Sequence, residues 1–368
     1  MKRIQSLDIL RGLIMVLMAI DHVRVYSGVP AGGADPAIFF TRWITHFCAP
    51  GFAFFAGAAA FLYGLKVNDT KKLSRYLFTR GLMLVLLEFT FIRFCWTFNL
   101  DFSEFMLAGV IWMLGICMIL LGSMVRLQPK TVGIIGLAII FGQQAFAFVS
   151  TILPGSMRPY WEFVYSSGVE GPSWIAILYV IVPWIGVMAA GYGFGIILTM
   201  EEQRRNRLCY MIGISSIAAF VILAVIFLPD SDAPFLMRLL NQRKYPASQL
   251  YIMMTLGPLI TLVPYAERMK GVAADFFRVF GRVPFFYYLL HIPLIHITAV
   301  VVNLMLFGDA HHEWYRTAPF AQVPPESMWG LALLYLAFVF DVVLLYLASR
   351  WYADFKAKNP QLVWTKYL

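Results

Sequence analysis

The chain has 368 residues, of which 60% are hydrophobic and only 13% charged, and its mean hydropathy is +0.73. No soluble globule could cover such a composition with polar surface, so the sequence describes a polytopic membrane protein of the all-α class. The net charge of +9 follows the membrane topology developed below, and no nucleic acid is expected as a partner.

Ten apolar segments, each near the roughly 20 residues a membrane helix needs, are predicted at about 8–27, 43–65, 76–98, 105–125, 131–153, 174–200, 207–229, 247–265, 282–306 and 328–350. The first follows Met1-Lys2-Arg3 as a secretory signal would. However, Asp8 and Arg11 interrupt it and no small-residue cleavage site precedes Gly28-Val29-Pro30, so it reads as a retained span. With the N-terminus in the cytoplasm, twenty of the 29 Lys and Arg residues fall on the inner side, from Lys2 and Arg3 to Lys358 and Lys366. That bias predicts about ten transmembrane helices with both termini cytoplasmic. No linker or repeat divides the chain, so one transmembrane domain over residues 1–368 is expected. The composition fits a multi-pass membrane protein with membrane lipid around it, and a homodimer is compatible with it.

The first span carries Asp8, Arg11, Asp21 and His22. Ionisable groups are costly inside a bilayer and are kept there for pairing or for function. On a helix, Asp8, Arg11 and His22 share one stripe, with Arg11 and His22 about 16 Å apart along it. Asp8 and Arg11 read either as a structural ion pair or as a site for anionic substrate groups at the cytoplasmic mouth. Asp21, His22 and Arg24 read either as charges snorkelling to the outer boundary or as catalytic groups.

The second span opens on Arg42 and on His46 in THFCAPGFAFFAG, where Pro50 suits a first helical turn. The small residues behind it, Gly57 among them, permit close helix contact. His22 and His46 are thus expected at similar depth on consecutive helices. A neutral imidazole there suits a general base, and an interfacial or capping histidine is the plainer alternative. In the third span, Glu88 and Arg93 suggest a buried ion pair, with Arg93 also a candidate for substrate. The loop before span eight supplies Lys244 and Tyr245, which could hold an anionic or sugar group. In span nine, Tyr287 and Tyr288 lie one turn before His291, and Pro293 is expected to disturb the helix. His291 is a candidate for substrate positioning together with Tyr287. His296 is read as structural.

No metal site is expected. His291 and His296 diverge on a regular helix, His311-His312-Glu313 is a weak pattern, and the four cysteines lack ligand spacing and read as buried apolar side chains. The chain also lacks a Walker loop, HExxH, GxSxG and CxxC. ATP-driven transport, zinc proteolysis and nucleophile-elbow hydrolysis are therefore disfavoured. Histidine-assisted group transfer remains, needing only a base, two bound substrates and a dry cavity.

Four blocks, SLDILRGLIMVLMAIDHVR, FFTRWITHFCAPGFAFFAGAAAFLYG, KYPASQLYIMMTLGP and GRVPFFYYLLHIPLIH, together resemble the bacterial branch of the heparan-alpha-glucosaminide N-acetyltransferase-like family, within the transmembrane acyltransferase superfamily. The resemblance implies that acyl-CoA, most often acetyl-CoA, donates from the cytoplasm to a sugar amine or hydroxyl across the membrane. The acceptor would be an envelope glycan or a lipid-linked sugar, with no permanently bound cofactor. It also implies a histidine base between the first two helices, for which His22 and His46 both qualify, with Asp21 to orient the imidazole. At the position of His46 the lysosomal relatives carry a carboxylate. Asp8, Arg11, Arg24, Arg42, Arg93, Lys244, Tyr245, Tyr287 and His291 complete the expected substrate-binding set. A proton-coupled transporter or flippase of a polar lipid or small solute is the alternative, with the same histidines and carboxylates as coupling groups.

Overall fold

The computed structural model describes residues 4–33, 35–166, 171–359 and 361–362. Lys2, Arg3 and Lys366 from the charge count lie outside them. The described chain is helical almost throughout: α1 (Gln5–Ser27), α2 (Pro36–Trp43), α3 (Cys48–Val67), α4 (Thr70–Leu87), α5 (Arg93–Thr97), α6 (Val110–Met124), α7 (Pro129–Phe141) and α8 (Gln144–Ile152). Then follow α9 (Arg158–Trp161), α10 (Trp184–Leu198), α11 (Glu202–Ile226), α12 (Phe235–Leu240), α13 (Gln249–Arg268), α14 (Val272–Arg282), α15 (Pro284–Phe307) and α16 (Leu331–Lys358). A two-residue parallel ladder, Leu107 with Ala176 and Ala108 with Ile177, ties two loops together beside the N-terminus of α6.

Local chemistry sets the helix ends. The Asp35 side chain accepts from the backbone N–H groups of Ala37 and Ile38, with Pro36 in the first turn of α2. Asp69 caps α4 through Lys72 N–H, and Ser248 caps α13 through Tyr251 N–H. Gly28 at φ 76° and Gly308 at φ 75° stop α1 and α15 in the left-handed conformation that suits glycine.

Each of the ten predicted segments contains a helix. Five helical stretches are long and apolar enough to cross a membrane: Pro36–Val67, Glu202–Ile226, Gln249–Arg268, Pro284–Phe307 and Leu331–Lys358. The α7–α8 pair makes a sixth if its 68° bend lies within one span, and α6 and α10 are shorter apolar helices. Charge keeps α1 out of that group, since Asp8, Arg11, Asp21 and Arg24 all lie on it.

Yet α1 is the hub of the fold, packed against α3, α13, α14, α15 and α16. The contact with α14 is backbone to backbone: a Cβ on Gly12 would lie 1.9 Å from the Phe277 carbonyl oxygen, and one on Gly281 would lie 1.7 Å from that of Asp8. Helices α3 and α10 meet in the same way at Gly57 and Gly191. Between these contacts runs one continuous core with Tyr26, Phe55, Trp184, Tyr251 and Tyr287 deep inside it.

Candidate active site

The candidate side chains gather where α1, α4, α6 and α15 converge. After α4, residues Glu88–Ile92 widen into one π-helical turn, an irregularity that often marks functional sites. The Glu88 carboxylate is buried there and accepts the backbone N–H of Trp112 at 2.8 Å. Because Trp112 is in the first turn of α6, the carboxylate caps that helix from outside.

His22, near the end of α1, has its Nδ1 2.7 Å from Nε2 of His291 on α15. His291 in turn has its own Nδ1 2.6 Å from the carbonyl oxygen of Tyr288. A carbonyl only accepts, so Nδ1 of His291 carries the proton and its Nε2 is an acceptor. Nδ1 of His22 must then be the donor, which leaves Nε2 of His22 with a free lone pair. The ring packing fixes this arrangement. His291 is stacked between His22, at 4.7 Å, and Tyr287, at 5.3 Å, while Trp96 meets His22 edge-on at 4.8 Å. The Tyr287 hydroxyl donates to the Met15 carbonyl on α1, and the Tyr26 hydroxyl to that of Trp96.

His22 opens into a cavity of about 330 Å³ that is also lined by Asp21, Arg24, Arg42, Glu88 and Lys244. Asp21 does not orient the imidazole. Its carboxylate accepts from Arg24 at 3.0 Å, and Arg24 also holds the Val29 carbonyl at 2.9 Å. The Lys244 ammonium lies 5.2 Å from the Tyr245 ring and 6.0 Å from that of Tyr179. Burial alone would pull its pKa down, but Tyr245 and Asp21 outweigh it and the pKa stands above the usual lysine value. Lys244 is therefore a cation at neutral pH.

A second cavity, of about 350 Å³, is mostly apolar and carries the guanidinium groups of Arg11 and Arg80 with Tyr63 and Tyr76. Arg11 donates to the Phe55 carbonyl at 2.7 Å, and Arg80 to the Tyr76 hydroxyl at 3.1 Å. Val110 and Tyr288 line both cavities, so the two spaces share a wall at these residues.

Residues 3–228 match the catalytic region of heparan-alpha-glucosaminide N-acetyltransferase. The chain belongs to that family. None of the curated proteins matches it. The family match runs from α1 through α11 and so takes in His22, Glu88, Trp96 and Arg11, while Lys244 and His291 come from the chain beyond it.

Not every residue expected at the site of this family member is found there. His46 sits in the turn before α3, its Nδ1 donating to the Arg42 carbonyl at 3.2 Å and its own carbonyl accepting the Tyr251 hydroxyl at 2.8 Å. Its ring faces a different cavity from that of His22, and Arg42 stands between the two, lining both. Arg93 forms no pair with Glu88. Its guanidinium donates to the Phe105 carbonyl at 3.0 Å and to those of Asn99 and Asp101, and it lies over the Phe102 ring. Asp8 is buried where α1 meets α14 and lines neither cavity, and Tyr287 stands behind His291. Among the described residues no group of histidine, cysteine or carboxylate side chains could hold a metal. His311 and Glu313 pair with each other at 2.8 Å, and the four cysteines are free and buried.

Glu88, Trp96, Tyr288 and Arg80 line these cavities without having been expected there. A carboxylate in an apolar span is a legible signal for Glu88. The others have none, because aromatic residues and flanking arginines are common in every span.

Proposed function

We propose that the protein is an integral membrane acyltransferase that passes an acyl group, acetyl in the first instance, from cytoplasmic acyl-CoA to an amine or hydroxyl of an extracytoplasmic glycan or lipid-linked sugar. The observation that carries this reading is the His22–His291 hydrogen bond, whose direction leaves Nε2 of His22 unprotonated on a residue lining a cavity that shares a wall with a second, apolar cavity. The family membership supports the acetyl-transfer chemistry. The ten-span topology with cytoplasmic termini, in one domain, rests on the charge count and brings Arg11 and Arg80 to the donor side.

In this mechanism the apolar cavity holds the pantetheine arm, with Arg11 and Arg80 toward the CoA phosphates. The acceptor enters the His22 cavity. Nε2 of His22 removes the acceptor proton as the nitrogen or oxygen attacks the thioester carbonyl, and His291 holds the ring in the tautomer that this requires. Lys244 balances the charge on the tetrahedral oxygen. Collapse breaks the C–S bond, and the departing CoA sulfur takes the proton from His22. The products are the acylated sugar and CoA thiol, with no covalent enzyme intermediate.

Reconstituted protein supplied with radiolabelled acetyl-CoA and an amino-sugar glycan tests this. His22→Ala is expected to lose roughly 10²–10⁴-fold in transfer rate, and His291→Phe most of that, whereas His46→Ala keeps a rate within a few-fold of the parent. If His22→Ala transferred as fast as the parent, or the protein neither bound nor hydrolysed acyl-CoA, the assignment would be wrong.

A further inference from the structure

The cavity that His46 faces has a volume of about 190 Å³ and lies between the α1–α2 loop, the turn before α3, and the loop leading into α12. Its polar lining is Arg42, His46, Ser231, Arg238 and Asn241, with Trp43 as an aromatic wall. Among the described lining residues none is acidic. Arg238 spends one nitrogen on the Pro229 carbonyl at 3.2 Å, while its buried Nε has no partner. The Arg42 guanidinium makes no hydrogen bond or ion pair among the described residues. A buried guanidinium nitrogen left without an acceptor is costly, and two arginines on one small cavity repel each other. That repulsion is relieved when an oxyanion sits between the two guanidinium groups, which bind phosphate and carboxylate in a charge-assisted way.

We propose that this cavity binds the phosphate of a phosphorylated sugar, as the anchoring subsite for the acceptor. The volume suits one charged group and part of a sugar ring, being smaller than a pocket for a whole ligand. Nε2 of His46 is the acceptor nitrogen of that ring, because Nδ1 donates to the Arg42 carbonyl, and it takes a sugar hydroxyl. The face of Trp43 packs on the sugar. Arg42 lines this cavity and the His22 cavity alike, so an acceptor phosphate held here leaves the rest of the sugar next to His22. That last step rests on the acyl-transfer reading, whereas the phosphate binding does not. The same phosphate chemistry occurs on a soluble sugar phosphate and on a polyprenyl phosphate in the bilayer.

Titration calorimetry on the full chain in nanodiscs separates the cases. The probes are glucose 1-phosphate, glucose, and a polyprenyl phosphate doped into the disc lipid. Saturable binding of glucose 1-phosphate but not glucose supports a soluble acceptor; binding of the polyprenyl phosphate alone supports a lipid-linked one. Arg238→Gln should weaken either by about tenfold or more, the usual worth of a charge-assisted hydrogen bond, and Arg238→Lys should recover part of that. Acetyl-CoA hydrolysis without acceptor is read in parallel and should be unchanged in Arg238→Gln, which also shows that the variant is folded. Binding of glucose as tight as that of its phosphate, or equal affinity in Arg238→Gln, overturns the subsite. Loss of hydrolysis in the parent protein would instead count against the acyl-transfer reading and leave the subsite standing.

Discussion

At the scale of single residues, two histidines with equal standing in the sequence are separated by their hydrogen bonds. His22 and His46 both precede or follow apolar runs at comparable depth, and spacing alone gives no preference. What distinguishes them is a partner 269 positions away, since His291 fixes the tautomer of His22 while His46 is bound to its own helix turn. Long-range partners of this kind leave no local periodicity, which is why the site was legible as a set of candidates and not as a geometry. Glu88 makes the complementary case. Sequence spacing suggests Arg93 as its partner, but a carboxylate can equally be satisfied by the N–H groups at a helix start, and here Trp112 N–H takes that place. Glu88→Ala should therefore cost about 1–3 kcal/mol of stability, the penalty for leaving a buried donor without its acceptor. Glu88→Gln, which keeps an oxygen at the position, should cost less. Denaturant or thermal unfolding in detergent measures both.

At the scale of elements, each hydropathy segment contains a helix, but hydropathy does not report how several of them are built. Residues 131–153 read as one span and form two helices bent by 68° around Gly142 and the buried Gln143. Pro293 is expected to disturb the helix, and α15 runs continuously from Pro284 to Phe307 with Pro293 inside it. The connection after α13 reads as a cytoplasmic charged loop and contains α14, an amphipathic helix whose Ala274 and Phe280 face the core while Asp275 and Arg278 pair at the surface. Eleven residues reach only about 16 Å, too short to span a bilayer, so no hydropathy window could report it. Its register against α1 depends on the absence of a side chain at Gly281. Gly281→Ala would drive a Cβ into the Asp8 carbonyl and should destabilise the protein by about 1–3 kcal/mol or more, as overpacking does. The fall appears as a lower thermal midpoint, and because α1 also carries Arg11 and His22, transfer activity should fall with it.

At the scale of the whole molecule, the charged loops and the buried site respond to pH separately. The Asp101 carboxyl lies below its ordinary pKa because it accepts from the Ser103 hydroxyl and backbone, and Glu313 lies below its own because His311 donates to it. A depressed carboxyl contributes stability that is complete above its unfolded pKa and is lost as pH falls through the folded one. For these two loops the loss begins near pH 4 and continues downward. Limited proteolysis of the 99–104 loop should thus show constant protection between pH 5 and 8 and rising cleavage only in stronger acid. A change in protection within the neutral window would contradict that assignment.

The shared wall of Val110 and Tyr288 has a consequence of an electrical kind. In the proposed orientation one cavity opens toward the cytoplasm and the other away from it, so part of the membrane voltage falls across the wall they share. An acetyl group is small and neutral and crosses such a partition without doing work against that voltage. CoA, with its phosphates, would have to move several negative charges through it, at about 2.3 kcal/mol per charge for each 100 mV. The thickness of that wall thus sorts the two halves of the donor: the acyl group goes through, and the nucleotide stays in the compartment that made it.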